Sequence, residues 1–184
     1  MGEDDHTACT ILCDTANALH RNRGTGFPAL IPLHERFQRL LTLNNHGNGV
    51  LMRCAREASD LLEAPRDIRP LHGDLHHGNV LDFEARGWLA IDPKGLLGER
   101  AFDFANIFCN PDIDHPKIRT ARNRLTFDRR LSLISLKSGI DPSRLLRWIV
   151  AWAGLSGIWF LDESDDRAEI VMEIAAYGIA HLDS

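Results

Sequence analysis

His72-Gly73-Asp74-Leu75-His76-His77-Gly78-Asn79, followed at once by Val80-Leu81-Asp82-Phe83 and then by Trp88-Leu89-Ala90-Ile91-Asp92-Pro93, is the stretch around which the 184-residue chain is read. The two apolar runs are short and β-rich, and Glu84-Ala85-Arg86-Gly87 between them is a turn sequence ending in glycine, so residues 80–83 and 88–91 are expected to pair as a hairpin. A hairpin of this length brings the chain back to where it began. Asp92, at the end of the second run, therefore lies near Asn79 at the start of the first. Asp74 stands five positions before Asn79, a spacing that suits a tight loop turning both side chains into one cleft.

Two carboxylates and one amide oxygen in one cleft are the groups needed to move a phosphoryl group from a magnesium-bound nucleotide: one carboxylate positions the accepting hydroxyl, and the remaining oxygens hold the metal. Taken alone, Asp74 reads equally well as an acid that caps a loop; Asn79 and Asp92 at this spacing give it a chemical use. His76 and His77 invite a zinc reading with His72 and Asp74, since imidazoles and a carboxylate are good zinc ligands, but adjacent side chains diverge. A metal-dependent hydrolase built on this His/Asp cluster stands as a second reading.

His72-Gly73-Asp74-x-x-x-x-Asn79, with a second Asp eighteen residues after the first, resembles the catalytic segment of the aminoglycoside phosphotransferases, small-molecule kinases with the protein-kinase fold. The text of residues 90–95 (Ala-Ile-Asp-Pro-Lys-Gly) and 98–105 (Gly-Glu-Arg-Ala-Phe-Asp-Phe-Ala) is similar to the streptomycin phosphotransferase branch, the aminoglycoside/hydroxyurea resistance kinases. So are residues 10–20 and 152–156. The resemblance implies that Asp74 is the catalytic base, that Asn79 and Asp92 are magnesium ligands, and that Leu81 and Ile91 lie under the nucleotide base. His72 and Asp103 become braces, Asp103 by accepting hydrogen bonds from the backbone of the catalytic loop. ATP is the implied phosphoryl donor, Mg2+ the implied metal, and a hydroxyl of a small cationic antibiotic such as streptomycin the implied acceptor.

Such kinases hold the cationic groups of the drug on carboxylates, which makes Glu163, Asp165 and Asp166 candidates for binding substrate. Without the resemblance, the acidic run 162–166 reads as a solvated loop whose last acids complement the dipole of the next helix. Departures from protein kinases also point to a small acceptor. Gly73 replaces the Arg that reads activation-loop phosphorylation, Asp92-Pro93-Lys94-Gly95 replaces Asp-Phe-Gly, and no Ala-Pro-Glu segment follows.

Kinases cover the nucleotide phosphates with a glycine-rich strand-turn-strand and contact them with a lysine from a smaller lobe. The first lysine of this sequence is Lys94, and the nearest glycine cluster, His46-Gly47-Asn48-Gly49, lies between two helical patterns and reads as a helix-helix turn. The expectation is a C-terminal large lobe with the N-terminal lobe absent, catalytically inert or nearly so by itself. Its uncovered cleft floor around Leu81 and Ile91 would favour self-association. A non-catalytic binding module descended from such a kinase is the alternative.

Composition fits one domain over residues 1–184: 44% hydrophobic and 26% charged residues are enough for a single sizeable core. A net charge of −5 disfavours nucleic-acid binding, which needs basic clusters, and suits a cationic ligand. Cys9, Cys13, Cys54 and Cys109 form no CxxC pair, no uninterrupted apolar run of about 18 residues occurs, and the N-terminus is acidic; a cytoplasmic protein with no membrane span is expected.

Apolar periodicity predicts helices over 7–20, from Pro32 with Leu33, Phe37, Leu40 and Leu41 inward, over 50–64, 101–108, 117–138 and 142–161, and over a final stretch to about Leu182 opened by a capping box of Asp166 and Glu169. Arg21-Asn22-Arg23-Gly24 is expected to end the first helix. Trp148, Trp152 and Trp159 share one face and read as core. The fold class is mainly α with a small β-hairpin, α+β, of the protein-kinase-like C-terminal type, with a catalytic loop at 72–79 and a metal-binding segment at 90–95.

Overall fold

The computed structural model describes residues 2–21, 29–43 and 49–184. Seven α-helices are found among them: α1 (Gly2–Leu19), α2 (Leu33–Leu41), α3 (Gly49–Glu63), α4 (Ala101–Ala105), α5 (Arg124–Ser138), α6 (Pro142–Asp162) and α7 (Arg167–Leu182). The expected hairpin is present as β3 (Val80–Asp82) and β4 (Trp88–Ala90), antiparallel, with Val80 opposite Ala90 and Leu81 opposite Leu89. Fold class is thus α+β and mainly helical, as the sequence suggested.

A second sheet was not foreseen. β1 (Ile31–Pro32) runs parallel to β5 (Leu96–Glu99), and β2 (Ile68–Leu71) runs antiparallel to β5 with Ile68 opposite Glu99 and Leu71 opposite Leu96. These strands are two to four residues long and carry Pro32, Pro70 and Gly98, so no period-2 pattern marks them; tertiary pairing decides their state. The sheet places Leu71 immediately before the 72–79 loop and Leu96 just after the Asp92 segment, so both arms of the site leave adjacent strands.

Helix boundaries depart from expectation for local reasons. α5 starts at Arg124, seven residues later than periodicity suggested. Asn123 caps it by accepting the Thr126 N–H at 3.1 Å, and the segment before it is folded around buried Asp112, which accepts the N–H groups of Ala121 and Arg122. The cap of α7 is Asp165, whose Oδ1 accepts the Arg167 N–H at 2.8 Å. Asp166 already has helical φ and ψ and makes no capping bond, so no capping box with Glu169 forms. Leu41, expected inward, is 39% exposed because it follows the buried stripe of Leu33, Phe37 and Leu40 in the last turn of α2. Asp141 caps α6 as read. The ends assigned to Arg21-Asn22-Arg23-Gly24 and to His46-Gly47-Asn48-Gly49 fall mostly outside the described residues.

α6 is the spine, packed by α3, α4 and α7. Phe37, Phe102 and Trp148 meet edge to face at centroid separations of 5.9 to 6.2 Å, which knits α2, α4 and α6 together. Gly154 permits the close approach of α3: a Cβ there would stand 2.2 Å from the Cβ of Cys54. By length and composition α6 would reach across a bilayer, but 72% of its apolar window is buried against other helices, as a core helix requires.

One buried ion pair sets the position of the 72–79 segment. Glu99, at the end of β5, accepts from the Arg144 guanidinium near the start of α6 and from the Arg66 backbone, while Arg144 also donates to the Ala64 carbonyl at 2.9 Å. This locks the entry to β2, and hence the loop beyond it, onto the spine. The cysteines are buried and unpaired, with burial pushing the thiols of Cys9 up to about 11 and of Cys13 and Cys54 up to about 12; they are structural and unreactive.

Candidate active site

The loop from His72 to Asn79 is shaped by Asp103, a fully buried carboxylate on α4. Its Oδ2 and Oδ1 accept the N–H groups of His72 and Gly73, both at 2.8 Å, and Oδ2 also receives His20 Nε2 from the end of α1 at 2.9 Å. Gly73 has φ +83°, and a Cβ there would stand 2.7 Å from Leu96 Cδ1, so only glycine fits between the brace and the sheet. His72 is buried and its ring is fixed at both nitrogens: Nδ1 accepts the Asp74 N–H at 3.2 Å, leaving Nε2 to donate to the Ile91 carbonyl at 2.8 Å. That second bond stitches the loop to the end of the hairpin. The Ile91 N–H in turn donates to the Asn79 carbonyl at 2.9 Å and the Lys94 N–H to the His72 carbonyl at 2.7 Å.

Asp74, Asn79 and Asp92 are brought together on this frame. Asn79 Nδ2 donates to the Asp74 carbonyl at 2.9 Å and stands 3.4 Å from Asp74 Oδ2. Lys94 spans the remaining gap, its Nζ 2.7 Å from Asp92 Oδ2 and 3.6 Å from Asp74 Oδ2. Lys94 holds the exposed Asp92 carboxyl below its usual range, and its own ammonium is raised by the same hydrogen bond. Asp92 has φ +59°, a left-handed turn that Asp tolerates and that swings its carboxylate out of the hairpin toward Asp74. A cation is therefore already seated between the two carboxylates. The donor set is all oxygen, two carboxylates and one amide, which suits Mg2+. No three His, Cys, Asp or Glu side chains group as a metal cage among the described residues, and both nitrogens of His72 are spent on the backbone, so the zinc reading has no ligand set.

Beside Asp74, and away from Lys94, lies a cavity of about 210 Å³ whose lining includes Arg36, His76, Asn106, Asp114, Trp152 and Trp159. Asn106 Nδ2 stands 3.4 Å from Asp74 Oδ1. The Arg36 guanidinium lies over the Trp159 ring at 4.2 Å, with its Nε buried and unpartnered among the described residues, and burial lowers its pKa. Trp159 thus lines a cavity, whereas Trp148 is core as read. Glu163, Asp165 and Asp166 do not line this space: Asp165 is taken up by Arg167 at 2.6 Å, and the acid that faces the cavity is Asp114. Leu81 is 42% exposed and Ile91 half-buried on the hairpin face. A larger groove of about 1090 Å³ runs along α5 past Leu125, Leu133 and Leu136 and shares no lining residue with the first.

Sequence reasoning gave no role to Lys94, Arg36, Asn106 or Asp114 as parts of the site, and weighed His76 only as a zinc ligand. Lys94 was visible two residues after Asp92. The others come from separate helices and loops, and nothing in their local text signals the meeting.

The sequence model of the aminoglycoside/hydroxyurea antibiotic resistance kinases matches residues 1–164. The chain belongs to this family. It is 54% identical over 162 residues to a streptomycin 3''-kinase of Klebsiella pneumoniae, an alignment covering 88% of the chain and 60% of that relative. A streptomycin 6-kinase of Streptomyces griseus is 30% identical over 169 residues, covering 88% and 54%, and a hydroxyurea phosphotransferase of Kitasatospora aureofaciens is 30% identical over 116 residues, covering 63% and 31%. This resistance-kinase chain therefore spans 60% or less of the length of these relatives. No solved structure matches it.

Proposed function

We propose that this resistance-kinase chain carries the catalytic and metal-binding half of an ATP- and Mg2+-dependent O-phosphotransferase acting on a hydroxyl of a small cationic antibiotic such as streptomycin. The observation that carries the reading is the convergence of Asp74 and Asp92 on one cation position, with Asn79 hydrogen-bonded to Asp74 beside it and Asp74 also opening onto a separate cavity. Asp74 is the one residue of the three that borders both spaces, as a base between donor and acceptor must.

In this reading the acceptor hydroxyl enters the cavity and is oriented by Asp74, which takes its proton as the new O–P bond forms and the bond from the γ-phosphorus to the bridging oxygen breaks, with ADP leaving. Asn106 holds Oδ1 of Asp74 from the far side and fixes the orientation of the carboxylate. Asp114 supplies the negative charge expected for holding an ammonium- or guanidinium-bearing acceptor, while the Trp159 ring is already engaged by the Arg36 guanidinium at 4.2 Å. About 210 Å³ accommodates one ring of such a molecule, the remainder lying in the open cleft. Asp92 and the Oδ1 of Asn79 would hold Mg2+ where Lys94 now sits; the metal-nucleotide supplies the phosphoryl group and neutralises its charge. Leu81 and Ile91 offer an apolar floor to the nucleotide base.

The sequence has no lysine before Lys94, and among the described residues no glycine-rich strand-turn-strand precedes the 72–79 loop. We therefore expect the 184-residue chain to bind nucleotide weakly, with a Kd in the millimolar range or about 4 kcal/mol, and to turn over very slowly. The test is transfer of labelled phosphate from ATP to streptomycin by the chain, by the chain joined behind the preceding part of a full-length streptomycin kinase, and by an Asp74→Ala version of each. Transfer by the joined protein that vanishes with Asp74→Ala supports the reading; transfer that persists without Asp74 refutes it.

A further inference from the structure

His76 lies between the two spaces of the site and touches a carboxylate on each side. Its Nδ1 is 3.2 Å from Oδ2 of Asp114 and 3.2 Å from the Gly78 N–H; its Nε2 is 3.1 Å from Nδ2 of Asn79 and 3.8 Å from Oδ1 of Asp74. A neutral imidazole has one N–H and one lone pair, so these contacts are not all compatible. With the proton on Nδ1, the ring donates to Asp114 and accepts from the Asn79 amide, and loses the bond that the Gly78 N–H directs at Nδ1 at 3.2 Å. With the proton on Nε2, the Gly78 bond is kept, but a donor faces the Asn79 NH2 at 3.1 Å and a lone pair faces the Asp114 carboxylate at 3.2 Å. The Nδ1–H tautomer satisfies two of the three contacts and the Nε2–H tautomer one, and the two it satisfies include the carboxylate.

The consequence falls on Asn79. Its amide has two hydrogens and finds two acceptors, the Asp74 carbonyl at 2.9 Å and His76 Nε2 at 3.1 Å. Turning the amide over would set Oδ1 against the Asp74 carbonyl, acceptor to acceptor. Nδ2 also stands 3.4 Å from Asp74 Oδ2, so the hydrogens are taken up by acceptors of the loop and Oδ1 is the amide atom left free for another partner among the described residues.

We propose that His76, oriented by Asp114, is a positioning residue that holds the Asn79 carboxamide with its oxygen toward the cation position shared by Asp74 and Asp92. The hydrogen-bond chain Asp114–His76–Asn79 stands on distances alone; the use of the Asn79 oxygen as a metal ligand rests on the proposed kinase reading. Gly78 completes the device. A Cβ there would lie 3.1 Å from the Cε1 of His76, so glycine leaves the ring room to lie against the loop. Asp114 lines the acceptor cavity, which gives an incoming cationic group a direct route, through one carboxylate and one ring, to a residue on the metal side.

Two measurements on the 184-residue chain test this. Long-range 1H–15N correlation on labelled protein reads the tautomer of His76 directly: a protonated Nδ1 with an unprotonated Nε2 is expected, and Nε2–H would overturn the proposal. Mn2+ affinity, read by proton relaxation of the solvent, is then compared for wild type, His76→Ala, His76→Gln and Asp114→Asn. Glutamine can present an acceptor oxygen where Nε2 stands, and alanine cannot. Loss of a residue that orients a metal ligand costs about 10-fold or more in affinity, so about that loss is expected for His76→Ala, a smaller one for Asp114→Asn, and near-wild-type binding for His76→Gln. Equal weakening by Ala and Gln, or none by either, overturns the positioning role even if thermal midpoints shift. A wild-type chain with the expected tautomer that takes up no Mn2+ overturns the metal-directed half of the proposal. Loss of Asp74 dependence in the phosphate-transfer assay, by contrast, refutes the kinase reading and leaves the tautomer result untouched.

Discussion

His20 and Asp103 lie 83 positions apart and meet at 2.9 Å inside the protein, Nε2 to Oδ2, with both side chains buried. The same carboxylate holds the His72 and Gly73 backbone, so the end of α1 and the 72–79 loop share one acceptor. Asp103→Ala leaves two backbone N–H groups and an imidazole without a partner in a site closed to water. A loss of about 3–5 kcal/mol is expected, a fall in thermal midpoint of about 10 °C for a chain of this size, with Asp103→Asn intermediate. Thermal unfolding followed by circular dichroism checks it; an unchanged midpoint for Asp103→Ala would show that the brace is idle.

Lys94 occupies the place between Asp92 and Asp74 that a divalent cation would take. Lys94→Met should therefore strengthen Mn2+ binding to the nucleotide-free chain. The pair is exposed and screened by solvent, so the gain should be small, about fivefold at most. The Asp92 carboxyl should also rise toward the ordinary range, because the Lys94 hydrogen bond is the main reason it is low. Weaker Mn2+ binding in Lys94→Met would mean that the ammonium shapes the site rather than competing for it.

His77 gives stability a pH dependence. Burial, aided by the nearby Arg130 charge, pushes its imidazole down to about 4. Unfolded, the group titrates near its ordinary value, so between about 6.5 and 4 the unfolded chain binds a proton that the folded chain refuses. Stability attributable to this residue is full above pH 6.5 and is lost as the pH falls through that window, up to about 3 kcal/mol. Denaturant melts at pH 7.5 and 4.5 should show a smaller acid loss for His77→Gln than for wild type, and parallel losses would rule the residue out as the source.

The outward face of the hairpin carries Leu81, 42% exposed, paired with half-buried Leu89 and followed by half-buried Ile91. Self-association through this face should appear as a sedimentation mass that rises with concentration. Leu81→Lys should weaken it about tenfold or more, since burying one leucine is worth about 1.5–3 kcal/mol. A single concentration-independent mass for the wild-type chain would remove the idea.

The hairpin and its consequence were legible in the sequence because β-rich runs, a glycine-ended turn and a five-residue spacing are all local signals. Helices α3 and α6 were legible for the same reason, through periodicity and an Asp-Pro cap. The β1–β5–β2 sheet was not, because two- to four-residue strands containing proline acquire their state only from partners distant in sequence. The same holds inside the site. Asp74, Asn79 and Asp92 lie within one hairpin's reach, whereas Arg36, Asp114 and Trp159 meet through α2, the 110–123 segment and α6. The acidic run at 162–166 was conspicuous in composition, yet its carboxylates turn to Arg39 and Arg167 instead.

The two halves of the site differ in stiffness. Asp74 sits on a loop bolted to a fully buried acid, while Asp92, 69% exposed and tied to that loop through Ile91 and Lys94 on either side, continues a ladder of only three residue pairs in a two-stranded ribbon of the kind that is marginal by itself. Thermal opening should concentrate in the ribbon, and amides of Leu81 and Leu89 should exchange with solvent well before those of His72 and Gly73. One arm then behaves as a fixed anvil and the other as a spring. On the proposed reading, substitutions in the Glu84–Arg86 turn would retune how firmly Asp92 grips a metal while leaving the loop that carries Asp74 in place, which gives the sequence a way to adjust one arm of the site without disturbing the other.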